Sequence, residues 1–210
     1  MEIKMKISII GAGNVGSALA FQFANKNHDV LIGARNIEAD ELKSLAAKSS
    51  KITIHSINEA IKPSEIVILS VPPYAAVEIA ESNKELLKNK IIVDASNSVF
   101  KKPDPYKTAL EGIKKVTGLD SVVKCFNSTG FENIENPSYG DIKIDMFIAG
   151  NDADSKSVVS NLVKEIGFEE CYDFGGDDKV ELLEQFAFAW INLAIIQKHG
   201  RNIAFKVLKR

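Results

Sequence analysis

Short apolar runs alternate with polar, helix-compatible stretches along most of the chain. Ile66-Val-Ile-Leu69 and Ile91-Ile-Val93 contain no polar alternation, which marks strands covered on both faces, as in a parallel sheet. Runs of this kind predict strands over 4–10, 29–33, 52–54, 65–71, 90–94, 121–126, 145–149 and 169–173. Helical spacing fills 14–26, 38–48, 57–61, 74–88, 105–114, 153–166 and 177–198. Such alternation, joined by right-handed crossovers, predicts an α/β fold with a doubly wound, mostly parallel sheet and a short helical C-terminal extension. The last helix is unusual. Leu183, Phe186, Ala187, Trp190, Leu193, Ala194 and Ile196 recur at helical spacing, and Phe188, Ile191 and Ile195 extend the apolar surface around most of the circumference. A helix apolar nearly all round needs burial on several sides, under neighbouring helices or against another subunit, so a homodimer is expected.

The first strand runs directly into Gly11, Gly13 and Gly16, and a helix of small residues follows. This is the glycine-rich turn of a Rossmann, NAD(P)-binding βαβ unit. Gly11 permits the tight turn, Gly13 removes a side chain that would strike a pyrophosphate, and Gly16 lets the helix lie close to the strand. Ala12, Asn14 and Val15 complete the turn, and the helix N-terminus offers unpaired N–H groups to phosphates. The second strand decides which nucleotide. An NAD-selective site usually ends it with Asp or Glu on the ribose hydroxyls. Here Gly33 and Ala34 stand there, followed by Arg35 and Asn36. A guanidinium at Arg35 suits a 2′-phosphate, so the reading is NADP(H). The competing reading is a solvated Arg35 and an Asn36 that caps the next helix.

Three further segments fall at strand ends, where ligands bind in such sheets. Val71-Pro-Pro73 makes a stiff wall for a nicotinamide or adenosine edge, or an ordinary turn with Pro73 opening a helix. Asp94-Ala-Ser-Asn-Ser98 places Ala95 and Asn97 near the nicotinamide end, unless its polar groups bond only one another. Val122-Val-Lys-Cys-Phe-Asn-Ser-Thr129 carries Lys124 inside an apolar strand. A buried cation needs a carboxylate partner; otherwise Lys124 faces solvent at a sheet edge.

Composition excludes several classes. The chain has 210 residues, 45% hydrophobic and 26% charged, with a net charge of −2, which offers no field for nucleic acid or an anionic membrane. The charged opening residues do not read as a signal peptide. Cys125 and Cys171 read as two buried thiols rather than a disulfide, in keeping with a cytoplasmic setting. His28, His55 and His199 have no metal-ligand spacing, so no metal is expected. No nucleophile–base set emerges. That fits hydride transfer, in which the nicotinamide supplies the chemistry and the protein supplies alignment. It fits equally a redox-sensing module that binds NADP(H) without turnover.

Together these segments resemble the NADP oxidoreductases dependent on the deazaflavin coenzyme F-420 (F420), whose relatives include the cytosolic domains of STEAP-type metalloreductases. The matching residues are Gly11-Ala-Gly-Asn-Val-Gly16, Gly33-Ala-Arg-Asn36, Val71-Pro-Pro73, Asp94-Ala-Ser-Asn97 and Val123-Lys-Cys-Phe-Asn127. They continue through Asn136-Pro-Ser-Tyr-Gly140 and Asp145-Met-Phe-Ile-Ala-Gly150 to the tail, Leu182 to Trp190 and Gly200 to Phe205. The resemblance implies NADPH along the glycine turn with Arg35 on its 2′-phosphate. It also implies a flavin-like acceptor, F420 or FMN/FAD, near Pro72, Asn97, Asn127, Ser128 and Thr129. Lys101, Lys102 and Lys107 are candidates for an anionic acceptor tail. Residues 1–150 would form the NADP-binding domain, and 151–210 an α/β and helical segment on the same sheet that shapes the acceptor pocket and the dimer contact. A small-carbonyl or imine reductase is the third reading, although such enzymes carry a longer helical domain.

Overall fold

A computed structural model describes residues 4–210. Six parallel strands form the main sheet: β1 (Lys6–Ile10), β2 (Asp29–Gly33), β3 (Ile52–His55), β4 (Ile66–Leu69), β5 (Ile91–Asp94) and β6 (Val122–Lys124), in the order β3-β2-β1-β4-β5-β6. The chain builds one half outward from β1, then returns and builds the other, so the order reverses between β1 and β4. Register follows from the two-faced burial expected of unbroken apolar strands. Ile7, Ile9, Ile66, Ile68, Val93 and Val123 point into one core, while Ile10, Val67, Leu69, Ile92 and Val122 point into the other. Helices α1 (Asn14–Asn25), α2 (Asp40–Ala46), α7 (Phe131–Glu135) and α8 (Ala153–Glu165) close the first core. The second lies under α3 (Ile57–Ile61), α4 (Pro73–Ser82), α5 (Lys84–Leu87), α6 (Ala109–Thr117) and α9 (Val180–Ile191).

Several boundaries differ from the sequence expectation, each for a local reason. The helix expected over 74–88 breaks at Asn83, whose side-chain amide donates to the Ile79 carbonyl and competes with the helical ladder. The helix expected over 105–114 starts at Ala109 and runs to Thr117. Thr108 accepts from the Glu111 amide while the Glu111 carboxylate accepts from the Lys107 amide, which fixes the start. Gly118, at φ +72°, ends it. Strand β6 stops at Lys124, before the expected 126, because Phe126 adopts φ +61°. A short antiparallel hairpin, β7 (Ser138–Tyr139) and β8 (Ile142–Lys143), was not expected. Beyond it, β9 (Met146–Ile148) and β10 (Cys171–Asp173) pair in parallel, and an antiparallel bridge from Lys124 to Ala149 joins them to β6. The last helix is a 3-10 turn (Asp177–Lys179), then α9, then a π-helical turn (Asn192–Ile196).

The C-terminal residues fold back. The Ile203 carbonyl accepts from Trp190 Nε1 and Asn133 Nδ2, both at 2.7 Å, and Asp145 accepts from the Val207 amide at 2.7 Å. Phe205 packs on Phe186 with ring centroids 4.5 Å apart. This strap ties α7, β9 and α9 into one body.

Phe23 joins these layers at the first core, fully buried with its ring edge-on to His28 and Phe126. Phe23→Ala is expected to lower unfolding free energy by about 3–5 kcal/mol with an unchanged urea m-value. A loss below about 1 kcal/mol would contradict that packing.

Candidate active site

The glycine turn is shaped by what each position lacks. Gly11 sits at φ +98°, and a Cβ there would overlap the Ser70 carbonyl and the Val71 side chain, so β1 and β4 part at a point only glycine can fill. At Gly16 a Cβ would strike the Gly11 carbonyl, so α1 lies against the turn itself. Gly13 is the opposite case: nothing lies within 4 Å of where its Cβ would be. The open space faces the start of α1, which has no side-chain cap and no acidic residue in its first turn. Its leading amides therefore present unpaired donors and the positive end of the helix dipole, which suits a diphosphate. Ala12 turns its carbonyl to the Ser17 hydroxyl at 2.9 Å, while Asn14 is exposed and Val15 half-buried.

Gly33 has its own packing reason. A Cβ would come within 2.5 Å of Ile10 Cδ1 and 3.3 Å of Ile57 Cα, so a side chain at the end of β2 must displace Ile10. Ala34 follows, hydrogen-bonded to the His55 carbonyl. Arg35 is exposed and makes no ion pair among the described residues. Asn36 does not cap α2, whose N-cap is Ala39; its side chain accepts from the Glu38 amide at 3.1 Å. Glu38 pairs with Lys43 at 2.9 Å.

Pro72 precedes α4 with an exposed ring, and Pro73 is buried as the first helical residue. At the end of β5, Asn97 stands opposite Asn127. The Asn97 amide donates to the Asn127 carbonyl, and the Asn127 amide donates to Asn97 Oδ1, both at 2.9 Å. Phe126 in the left-handed region turns the chain so that this pairing forms. Asn127 is buried, yet its Oδ1 has no partner. A buried acceptor left free is costly and points to a donor that arrives with a ligand. Ser128 is also buried, with its hydroxyl 3.4 Å from Met146 sulfur, and the Thr129 hydroxyl accepts from Asn133 at 2.7 Å. Of these three, Asn127 alone keeps an unused polar atom. Ala95 is half-buried, its amide bonded to the Leu69 carbonyl.

Lys124 is fully buried and paired twice: with Asp94 at 2.9 Å and with Glu184, from α9, at 2.5 Å. Asp94 accepts from the amide and hydroxyl of Ser96 at 2.9 and 2.6 Å. Glu184 accepts from the Ser98 amide at 3.0 Å and its hydroxyl at 3.3 Å. The residues on both sides of Asn97 are thus held by carboxylates that share one ammonium. Burial works against the charge on Lys124, but the two carboxylates outweigh it and raise its affinity for the proton. Burial raises the Glu184 carboxyl, against the pull of Lys124. Glu184 did not stand out in the sequence. Its signal was a lone carboxylate on the buried stripe of Val180, Leu183 and Ala187.

Aromatic side chains lie near α4 and α9. Lys101 lies 4.6 Å over Tyr74, and Phe100, 73% exposed, meets Phe188 edge-on. Lys107 pairs with Glu181 at 3.5 Å, and Lys102 is exposed. Cys125 is buried and Cys171 half-buried; both are free thiols, and burial pushes the Cys125 thiol up. Among the described residues no cluster suits a metal, and no helix is long and apolar enough to cross a membrane.

Comparison with known proteins agrees with this geometry. Residues 6–98 match the family model described as NADP oxidoreductase, coenzyme F420-dependent. The F420-dependent NADP reductase of Methanocaldococcus jannaschii is 29% identical over 92% of this chain and 94% of its own. That of Methanothermobacter marburgensis is 25% identical over 97% and 98%. A crystal structure described as a candidate F420-dependent NADP reductase of an Arthrobacter species superposes with a TM-score of 0.86 at 24% identity, covering 98% of this chain and all of the other. The family model covers the glycine turn and the Asn97 segment, the pairwise matches run over nearly the whole chain, and the chain is similar along its length to coenzyme F420-dependent NADP reductases.

Proposed function

We propose that this chain passes a hydride between NADP(H) and coenzyme F420. The observation that carries the reading is the buried, unpartnered Oδ1 of Asn127, beside Asn97 and beyond the carboxyl ends of β5 and β6. The open space at Gly13 and the uncapped start of α1 support binding of the diphosphate. Arg35, without an ion pair among the described residues and preceded by Gly33 and Ala34 rather than a carboxylate, suits the 2′-phosphate. Bound nicotinamide supplies the hydride chemistry. The chain's own residues hold and align: Pro72 and Val71 wall the ring, and the Asn97–Asn127 pair offers Oδ1 of Asn127 to an amide or ring N–H. Tyr74, Phe100 and Phe188 give an aromatic rim on the acceptor side. Residues 1–150 serve the nucleotide, while α9 and the returning tail close the acceptor side. The two free thiols suit a reducing, cytoplasmic setting. Flavins would be poorer acceptors, and a sensor without turnover is the opposite outcome of the assay.

The uncovered face of α9 and the turn after it supports a homodimer. Leu182 is 56% exposed, Ile195 47% and Ile196 50%. Sedimentation is expected to give twice the chain mass at micromolar concentration; a monomer mass at every concentration would contradict it.

Arg35→Glu should raise the NADPH dissociation constant about tenfold or more and leave that for NADH nearly unchanged. Equal weakening of both, or of neither, would contradict the 2′-phosphate role. In a steady-state assay with FMN, FAD and F420, NADPH is expected to be oxidised rapidly with F420. Asn127→Ala should reduce kcat/KM about tenfold or more, with a smaller effect on nucleotide affinity. Silence with all three acceptors in the presence of tight NADPH binding would favour the sensor.

A further inference from the structure

The charges in the buried cluster do not balance. Lys124 brings one positive charge and Asp94 and Glu184 bring two negative ones, and none of the three side chains is more than 4% exposed. Ser96 and Ser98 add only neutral donors. One carboxylate charge is left uncompensated where water cannot screen it. Structure alone does not ask for it, because the Lys124–Asp94 pair already joins β5 to β6. Glu184 comes from outside the sheet, on α9, and bonds the residue next to Asn97.

This excess lies at the carboxyl ends of β5 and β6, immediately behind the Asn97–Asn127 pair. On the NADP reading above, which this inference requires, the nicotinamide binds at those ends. When hydride leaves C4 of NADPH with its electron pair for the acceptor ring, the nicotinamide changes from neutral to cationic. We propose that the uncompensated carboxylate of the Asp94–Lys124–Glu184 cluster favours the oxidised, cationic nicotinamide over the reduced one. Glu184 is therefore a positioning and charge-setting residue for hydride departure. It acts through the fixed field of the cluster and touches no reactant. Preorganised charge aimed at where charge develops is an effective form of such tuning.

The test is the ratio of dissociation constants, NADP+ over NADPH, measured by calorimetry on the full chain without acceptor. Glu184→Gln, which removes the excess charge at nearly constant shape, should raise the ratio about fivefold, and Asp94→Asn should shift it the same way. Ser98→Ala removes a hydrogen bond of the same clamp without changing charge, and should leave the ratio where it was. A purely structural role would weaken both nucleotides in parallel in all three variants, and that result overturns the proposal. If the charge variants do not fold, the unsubstituted protein carries the same test. Burial has raised the Glu184 carboxyl above its usual 4.5, and the titratable groups facing it are Lys124 from β6 and Asp94 from β5. As pH falls towards this raised carboxyl, Glu184 takes up a proton and the excess charge is lost, so the ratio should rise. The 2′-phosphate titrates alike in both ligands and cancels. A pH-independent ratio overturns the proposal. If the unsubstituted protein binds neither nucleotide, the NADP reading fails first and this inference fails with it.

Discussion

Lys124 cannot be buried alone. An isolated ammonium in a protein interior costs several kcal/mol, and the fold accepts this one because two carboxylates reach it from different elements. Removing Lys124 would leave two buried carboxylates unmatched and cost about 3–5 kcal/mol, whereas replacing all three by apolar residues of similar volume is often neutral. The cluster is thus a poor way to gain stability and an exact way to fix three segments together. β5, β6 and α9 meet at one nitrogen, and the loop between Asp94 and Ser98 hangs from their oxygens.

The other site features stand on that frame. With Ser96 and Ser98 held, Asn97 has little freedom, and Asn127 is brought to it by the left-handed Phe126. Phe126 is in turn fixed by Phe23 from α1, the helix that begins at the glycine turn. The glycine turn and the Asn97–Asn127 pair are therefore parts of one packed body. The tail adds to this. Trp190 and Asn133 both donate to Ile203, so α9 is pinned at its far end while Glu184 reaches inward from its middle.

Much of this was legible in the sequence, and the parts that were not share a cause. Ile66 to Leu69 announced a strand covered on both sides because no polar residue interrupts it, and β4 fills both cores as expected. Gly11, Gly13 and Gly16 announced the turn because the physical need at each position is local. The helix expected from 105 starts four residues later, because capping by Thr108 sets the start at Ala109. The partner of Lys124 stayed open because Glu184 lies 60 residues away, and only folding brings it near. Ser128 and Thr129, expected among the acceptor contacts, have their hydroxyls engaged by the sulfur of Met146 and the amide of Asn133. The return of the tail over α7 was invisible for the same reason, since its bonds run to residues far along the chain.

Direct transfer between NADPH and F420, as proposed above, moves the hydride without exchange with solvent. The most direct measurement is label transfer: NADPH carrying deuterium at C4, on the face the protein uses, is mixed with F420 and the reduced product is analysed by mass spectrometry. The account predicts that one deuterium appears in the reduced acceptor, with no loss to water. Reduced acceptor without label, whichever face of NADPH carries the deuterium, would contradict it.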